Sequence, residues 1–153
     1  MTNSPQRHSS TEFAQSNALA DAASAALLRE EFGEWLRKHF VLDPTRASDV
    51  LLAVNEALAN AAEFAYATAE NPGAVHMTAL YDCATAVLTV TVADEGAWRI
   101  ANARTKTSIR GRGIPLMRAL ADHSSIESSP GGTTVHLSWN EIVPAAQGAV
   151  TDA

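Results

Sequence analysis

Asn71-Pro72-Gly73 divides the chain into two parts with different periods, and this break constrains the fold more than any other feature. Proline removes a backbone donor and glycine favours turns, so no helix passes through the three. Before the break, apolar residues recur at helical spacing. From Asn17 to Phe40, Leu28, Phe32, Trp35, Leu36 and His39 share one face while Arg29, Glu30, Glu34, Arg37 and Lys38 take others. Asp43-Pro44 then reads as an N-cap followed by proline at the first helical position, opening a second helix to about Tyr66. After the break the apolar residues gather in short runs rich in Val, Leu and Thr. Ala74–Tyr81 and Ala86–Ala93 read as strands, and the Asp82–Thr85 link is short enough for an antiparallel hairpin. Asp94–Arg112 shows neither period. Gly113–Asp122 reads as a short helix with Pro115 in its first turn, and Ser124–Ser128 and Thr133–Trp139 as a strand pair around Pro130-Gly131-Gly132. The expected order is α-α-β-β-loop-α-β-β. That is an α+β two-layer α/β sandwich, with helices on one face of a mixed, mostly antiparallel sheet.

A chain of 153 residues is about one domain in length. Residues 1–12 and 144–153 are polar or aperiodic and are expected to be disordered tails, leaving residues 13–143 as the folded domain. No apolar run approaches the roughly 20 residues that span a bilayer. Met1 to Thr11 lacks an apolar signal core, so the expectation is a soluble, cytoplasmic protein with no membrane partner. A single cysteine, Cys83, excludes an intramolecular disulfide framework. It falls in the expected hairpin turn. The five histidines lack metal-ligand spacing. Trp35 and Trp139 read as core or interface anchors, and the first helix, with Trp35 and Phe40, offers a surface for a homodimer or a partner.

The formal charge of −6 argues against direct nucleic-acid binding. Its distribution is more informative. Between Gly96 and Arg118 stand Arg99, Arg104, Lys106, Arg110, Arg112 and Arg118 with no acidic residue, six of the chain's eleven basic residues. A local positive segment in an acidic chain points to a small anionic ligand. Within it, Arg110-Gly111-Arg112-Gly113 opens onto the expected helix, where glycines let backbone N–H groups approach a phosphate and the helix N-terminus adds partial positive charge. A solvated loop with a glycine-capped helix start explains the same residues.

Three further groups carry chemistry. Glu56 and Asn60, four residues apart on the second helix, stack on one face, and Phe64 continues the stripe. The face expected to be buried is Leu51, Val54, Leu58, Ala62 and Ala65. A carboxylate and a carboxamide at that spacing supply hard oxygen ligands suited to hydrated magnesium, although a solvated polar face is the simpler reading of these residues alone. Asp94-Glu95-Gly96 ends an apolar strand with a carboxylate that can accept from a base's exocyclic amine, or forms an ordinary turn. Gly132-Thr133-Thr134 can bring a hydroxyl near the same place, or simply enter an edge strand.

Taken in order, these groups resemble the motifs of the GHKL ATPase superfamily, which includes histidine-kinase catalytic domains and gyrase B. Glu56-Ala-Leu-Ala-Asn60-Ala61 resembles its N-box and Asp94-Glu-Gly96 its first glycine box. Arg110-Gly111-Arg112-Gly113-Ile114-Pro115-Leu116-Met117 resembles the second, and Gly132-Thr133-Thr134 the terminal Gly-Thr element. The short chain, the phrase RGRGIPLMRALAD and the Asp94-x-Gly96-x-Trp98 form are most similar to bacterial anti-sigma-factor serine/threonine-protein kinases of actinobacterial type. The resemblance spans residues 17–140 and implies a Bergerat-type ATP-binding fold. It implies Glu56 as general base toward a serine or threonine hydroxyl and Asn60 as ligand of a Mg²⁺ on the ATP phosphates. It implies Asp94, with Gly96 and Thr133, at the adenine, and Arg110, Gly111, Arg112 and Gly113 on the phosphate side. The implied partners are a sigma factor and an anti-sigma antagonist of STAS type. Two positions depart from the pattern: Phe64 stands where many members carry a basic residue or histidine, and Trp98 where the first glycine box has its second glycine. These departures keep open a regulatory ATP-binding module with little or no kinase activity.

Overall fold

The structure is a computed structural model describing residues 10–65, 73–96 and 107–145. In chain order the elements are β1 (Ser10–Leu19), α1 (Ala22–His39), β2 (Phe40–Val41), α2 (Pro44–Asn60) and a π-helical turn (Ala61–Ala65). There follow β3 (Ala74–Asp82), β4 (Val87–Asp94), α3 (Thr107–Leu120), β5 (His123–Ser129), β6 (Gly132–Trp139) and β7 (Val143–Pro144). The five long strands form one sheet in the order β1-β3-β4-β6-β5, and β2 and β7 form a separate two-stranded ribbon. Every pairing among these described strands is antiparallel.

Alternation along the strands defines the two layers. On β3, Val75, Met77, Ala79 and Tyr81 are buried; so are Leu88, Val90 and Val92 on β4, and Val135, Leu137 and Trp139 on β6. With a period of two these side chains share one face, and the helices cover it. From the helical side Leu28, Phe32 and Leu36 of α1, Val50, Val54 and Leu58 of α2 and Met117 of α3 complete the core. Trp139, fully buried, donates its indole N–H to the Leu120 carbonyl at 2.9 Å and so ties the end of α3 to β6. Trp35 sits in an aromatic cluster with Phe13, Phe32, His39 and Phe40, its ring centroids 5.3–5.7 Å from theirs.

Both helix starts marked by aspartate are as chemistry demands. The Asp43 carboxylate accepts from the Arg46 N–H at 2.8 Å with Pro44 in the first turn, and Asp21 accepts from Ser24 N–H at 2.8 Å. The Asp82–Ala86 hairpin closes with Cys83 exposed in the turn.

Several expectations are corrected. Ser10–Glu12, assigned to a disordered tail, pair with Asp82, Tyr81 and Leu80, and residues 17–19, assigned to the first helix, continue the same edge strand. An edge strand with a bulge between Gln15 and Ala18 needs only one packed face, here carried by Phe13, so its sequence shows no sustained alternation. Pro144, placed in the C-terminal tail, pairs with Phe40 in β7. The second helix leaves α geometry after Asn60, and Tyr66 lies outside the described residues. The buried face of α2 is Val50, Ala53, Val54, Ala57, Leu58 and Asn60, rotated from the expected stripe, because α2 packs between α1 and α3 as well as on the sheet. Leu51 and Ala62 are left at its edge. Finally, α3 begins at Thr107, so Arg110-Gly111-Arg112-Gly113 lies within its helical backbone and does not precede the helix.

Candidate functional site

The described residues bury three polar side chains: Asn60 at 4%, Asp94 at 6% and Thr133 at 2% relative exposure. All three are residues singled out by sequence. Burial of a polar group is unfavourable unless hydrogen bonds offset it, so each one asks for a partner.

Asp94 is the last residue of β4 and follows Leu88, Val90 and Val92 in alternation, which turns its side chain toward the helical layer. Its Oδ1 accepts from the Gly96 N–H at 2.9 Å, an Asx turn that fixes the corner leaving the strand. Directly opposite on β6 is Thr133, also on the helix-facing side. The Thr133 hydroxyl lies 3.0 Å from Ser128 Oγ, so Ser128 positions it. Sequence reading missed Ser128; only its cross-strand pairing with Thr133 identifies it.

Gly132 is required at this corner. Its φ is +149°, and a Cβ there would overlap the Asp94 carbonyl oxygen and lie 2.9 Å from Glu95 Cα. The Gly-Thr element therefore lets β6 start hard against the Asp94-Glu95-Gly96 turn. A shallow cavity of about 310 Å³ opens here, lined by Asp94, Ser128, Gly131, Gly132 and Thr134 among others. On the outer side of the same corner, Glu95 Oε2 lies 3.2 Å from His76 Nε2.

Asn60 closes α2 and leads into the π-helical turn, which contacts β4. Its Nδ2 is buried with no hydrogen-bond partner among the described residues. A half-turn of the carboxamide exchanges its nitrogen and oxygen, so the position that leaves Nδ2 unpartnered can equally present Oδ1 to a cation. Glu56, one turn earlier, is half-buried at the margin of the packed face. A carboxamide oxygen with a carboxylate one turn away is a donor set that fits Mg²⁺.

The structure thus brings Asp94, Gly96 and Thr133 together at one sheet end, with Asn60 and Glu56 at the end of the helix packed above the sheet. For Arg110, Gly111, Arg112 and Gly113 it describes backbone alone, on α3. Arg99, Arg104, Lys106 and Trp98 lie outside the described residues, as does the side chain of Phe64. A groove of about 630 Å³ lies away from these residues, between α1 and α2. Among the described residues no helix is long and apolar enough to cross a membrane.

Comparison with known proteins places this geometry. The model of the family described as histidine kinase-like ATPase domain matches residues 18–139. The crystal structure of the RsbU and RsbW domains of Rv1364c from Mycobacterium tuberculosis is similar, with a TM-score of 0.64 and 25% sequence identity. The match covers 88% of this chain and 34% of that one, so the chain spans about a third of that protein's structure.

Proposed function

The chain belongs to the histidine kinase-like ATPase domain family, and on that premise we propose that it is an ATP-dependent serine/threonine-protein kinase and anti-sigma factor. In this reading it phosphorylates an anti-sigma antagonist and sequesters a sigma factor. The observation that carries the nucleotide part is that the three polar side chains buried among the described residues are Asn60, Asp94 and Thr133. Asn60 has the chemistry that the metal of Mg-ATP requires, and Asp94 and Thr133 that which the adenine requires. The partner-switching part is supported by the RGRGIPLMRALAD phrase and by likeness to a structure that includes an RsbW domain.

The roles follow from the donors and acceptors present. Asp94, held by the Gly96 N–H, accepts from the adenine amino group, and the Thr133 hydroxyl, positioned by Ser128, supports the same edge. Asn60 would hold Mg²⁺ by its carboxamide oxygen, and the ion would supply neutralisation of the phosphate charge. Arg110 and Arg112, with the Gly111 and Gly113 backbone, serve the phosphates from α3. Glu56 orients the acceptor hydroxyl and takes its proton as that oxygen bonds to the γ-phosphorus and ADP leaves. Phosphoryl transfer needs positioning and charge neutralisation more than covalent help from the protein.

Transfer of labelled γ-phosphate to a purified STAS-type antagonist tests the proposal. Wild type is expected to label a serine or threonine, and Glu56→Ala to bind ATP without labelling. Equal labelling by Glu56→Ala refutes the base assignment. A nucleotide-binding regulator without transfer is the second reading, favoured by Phe64 and Trp98 at the two departures from the family pattern. It predicts ATP binding with no labelled product in either protein.

A further inference from the structure

None of the residues lining the groove between α1 and α2 is among those proposed to hold the nucleotide. Its volume of about 630 Å³ continues into a second hollow of about 440 Å³ beneath β2, the two sharing Arg37, Ala47 and Leu51. At the floor Gly33 of α1 faces Leu51 of α2 across the helix seam, with Ala47 beside it. Leu52 rises at its rim, 44% exposed, and Val41, 61% exposed, stands where the second hollow opens. Along α2 the groove runs from Pro44 to Asn55, about 16 Å at 1.5 Å per residue, which is the length of three helical turns.

Its charge is opposite to that of the chain. The charged residues lining the larger groove are Arg29, Arg37 and Glu30, in a protein of net charge −6. Arg29 donates to the neutral Asn55 side chain at 2.8 Å, and Arg37 lies over Gly33. Neither guanidinium is in an ion pair among the described residues. An open, apolar-floored channel of this length flanked by unpaired arginines matches an amphipathic helix with leucine-type residues on one face and carboxylates beside them.

We propose that the α1–α2 groove docks an acidic amphipathic helix of a partner protein, Arg29 and Arg37 receiving its carboxylates and Gly33, Ala47, Leu51 and Leu52 its apolar face. This rests on the reading that the chain acts through a protein partner, but not on the nucleotide site.

The test uses the full chain, ¹⁵N-labelled, and two synthetic 15-residue helical peptides. One carries leucines at i, i+3 and i+7 flanked by glutamates; the other has each glutamate replaced by lysine. The acidic peptide is expected to shift the amide signals of Gly33, Ala47, Leu51 and Leu52. Arg37→Glu should weaken it by about tenfold or more and should improve binding of the lysine peptide, a reversal that misfolding cannot produce. Leu52→Ser, at an exposed position, should weaken both. Absence of binding, shifts mapped to the outer sheet face, or equal affinity for the two peptides overturns the proposal. So does a concentration-dependent dimer that Arg37→Glu dissolves, which would give the groove to a second copy. Asn60→Leu separates the two readings: it should lose ATP and keep the peptide. ATP binding without peptide binding removes the groove assignment alone, and the converse removes the nucleotide site alone.

Discussion

Asn60→Leu is expected to stabilise the ligand-free protein while abolishing its response to Mg-ATP. Leucine and asparagine branch alike at Cγ, so the substitution keeps the shape of a side chain that is 4% exposed. It removes a buried Nδ2 with no hydrogen-bond partner among the described residues. An unsatisfied buried donor costs about 1–3 kcal/mol, and that amount should return as stability. For a domain of this length, each kcal/mol moves the melting temperature by roughly 2–4 °C, giving a rise of about 2–12 °C. The wild type has the opposite response to ligand. At ATP about 100-fold above its Kd, binding adds about 2.7 kcal/mol, or roughly 5–11 °C, and the variant should gain none of it. Calorimetric scans of both proteins in EDTA and in saturating Mg-ATP supply the four numbers. A variant less stable than wild type in EDTA would refute the claim that the amide is unpartnered. A variant that still responds to Mg-ATP would refute the claim that Asn60 holds the metal.

Gly132→Ala should lose at least about 2 kcal/mol in urea titrations, since it forces a φ of +149° on a residue with a Cβ and drives it into the Asp94–Glu95 backbone. Gly131→Ala, whose Cβ would meet only Ser129 Oγ at 3.8 Å, should be near neutral and serves as control. Glu56→Gln should slow single-turnover phosphate transfer by roughly 10²–10⁴-fold with ATP affinity little changed. The Asp122 carboxyl is held below its ordinary value chiefly by its hydrogen bond from Arg46, then by that from the Asn140 N–H. A depressed carboxylate pKa contributes stability above the unfolded value of 3.8 and loses it as pH falls further. Asp122→Asn should therefore cost at most about 1 kcal/mol at neutral pH, the pair being one-third exposed, and progressively less as pH falls below 3.8. His39 is pushed below 6.5 by burial and then by Lys38, so the fold disfavours its charged form. Stability should be complete above pH 6.5 and decline as pH falls from there to the folded pKa, a slope that His39→Phe removes. The Trp35 ring, 5.6 Å away, should report the protonation by fluorescence.

The parts of the fold legible in the sequence are those where one local signal suffices. Asp43-Pro44 announced α2, and the β3–β4 and β5–β6 hairpins alternate with turn residues between them. What was not legible depends on partners distant in the chain. β1 is a polar strand whose identity comes from β3, 55–72 residues away, and β2 and β7 are two residues each, defined only by one another. The rotation of α2 escaped for the same reason: periodicity gives the existence of an apolar stripe, while its centre depends on which neighbours pack against it. At the candidate site, Glu56, Asn60, Asp94 and Thr133 could be singled out because motif order is a one-dimensional signal. The role of Ser128 was not, since nothing but register brings it to Thr133.

That rotation decides how the proposed site would work. On the expected stripe Asn60 would have stood in solvent, where a carboxamide is hydrated and has little to gain from a metal. On the observed face it is buried while Glu56, one turn back, is half-buried. Two residues of the same helix are thus held at different depths by 3.6-residue geometry alone. The inner one can exchange an unsatisfied state for metal coordination, a gain tied to ligand binding. The outer one stays accessible to a hydroxyl delivered by a partner. A smaller rotation of α2 would hydrate the proposed metal ligand in one direction or bury the proposed base in the other. The neighbours that set the rotation, α1 and α3 on either side of α2, are therefore as much a part of the site as the side chains that would touch the nucleotide.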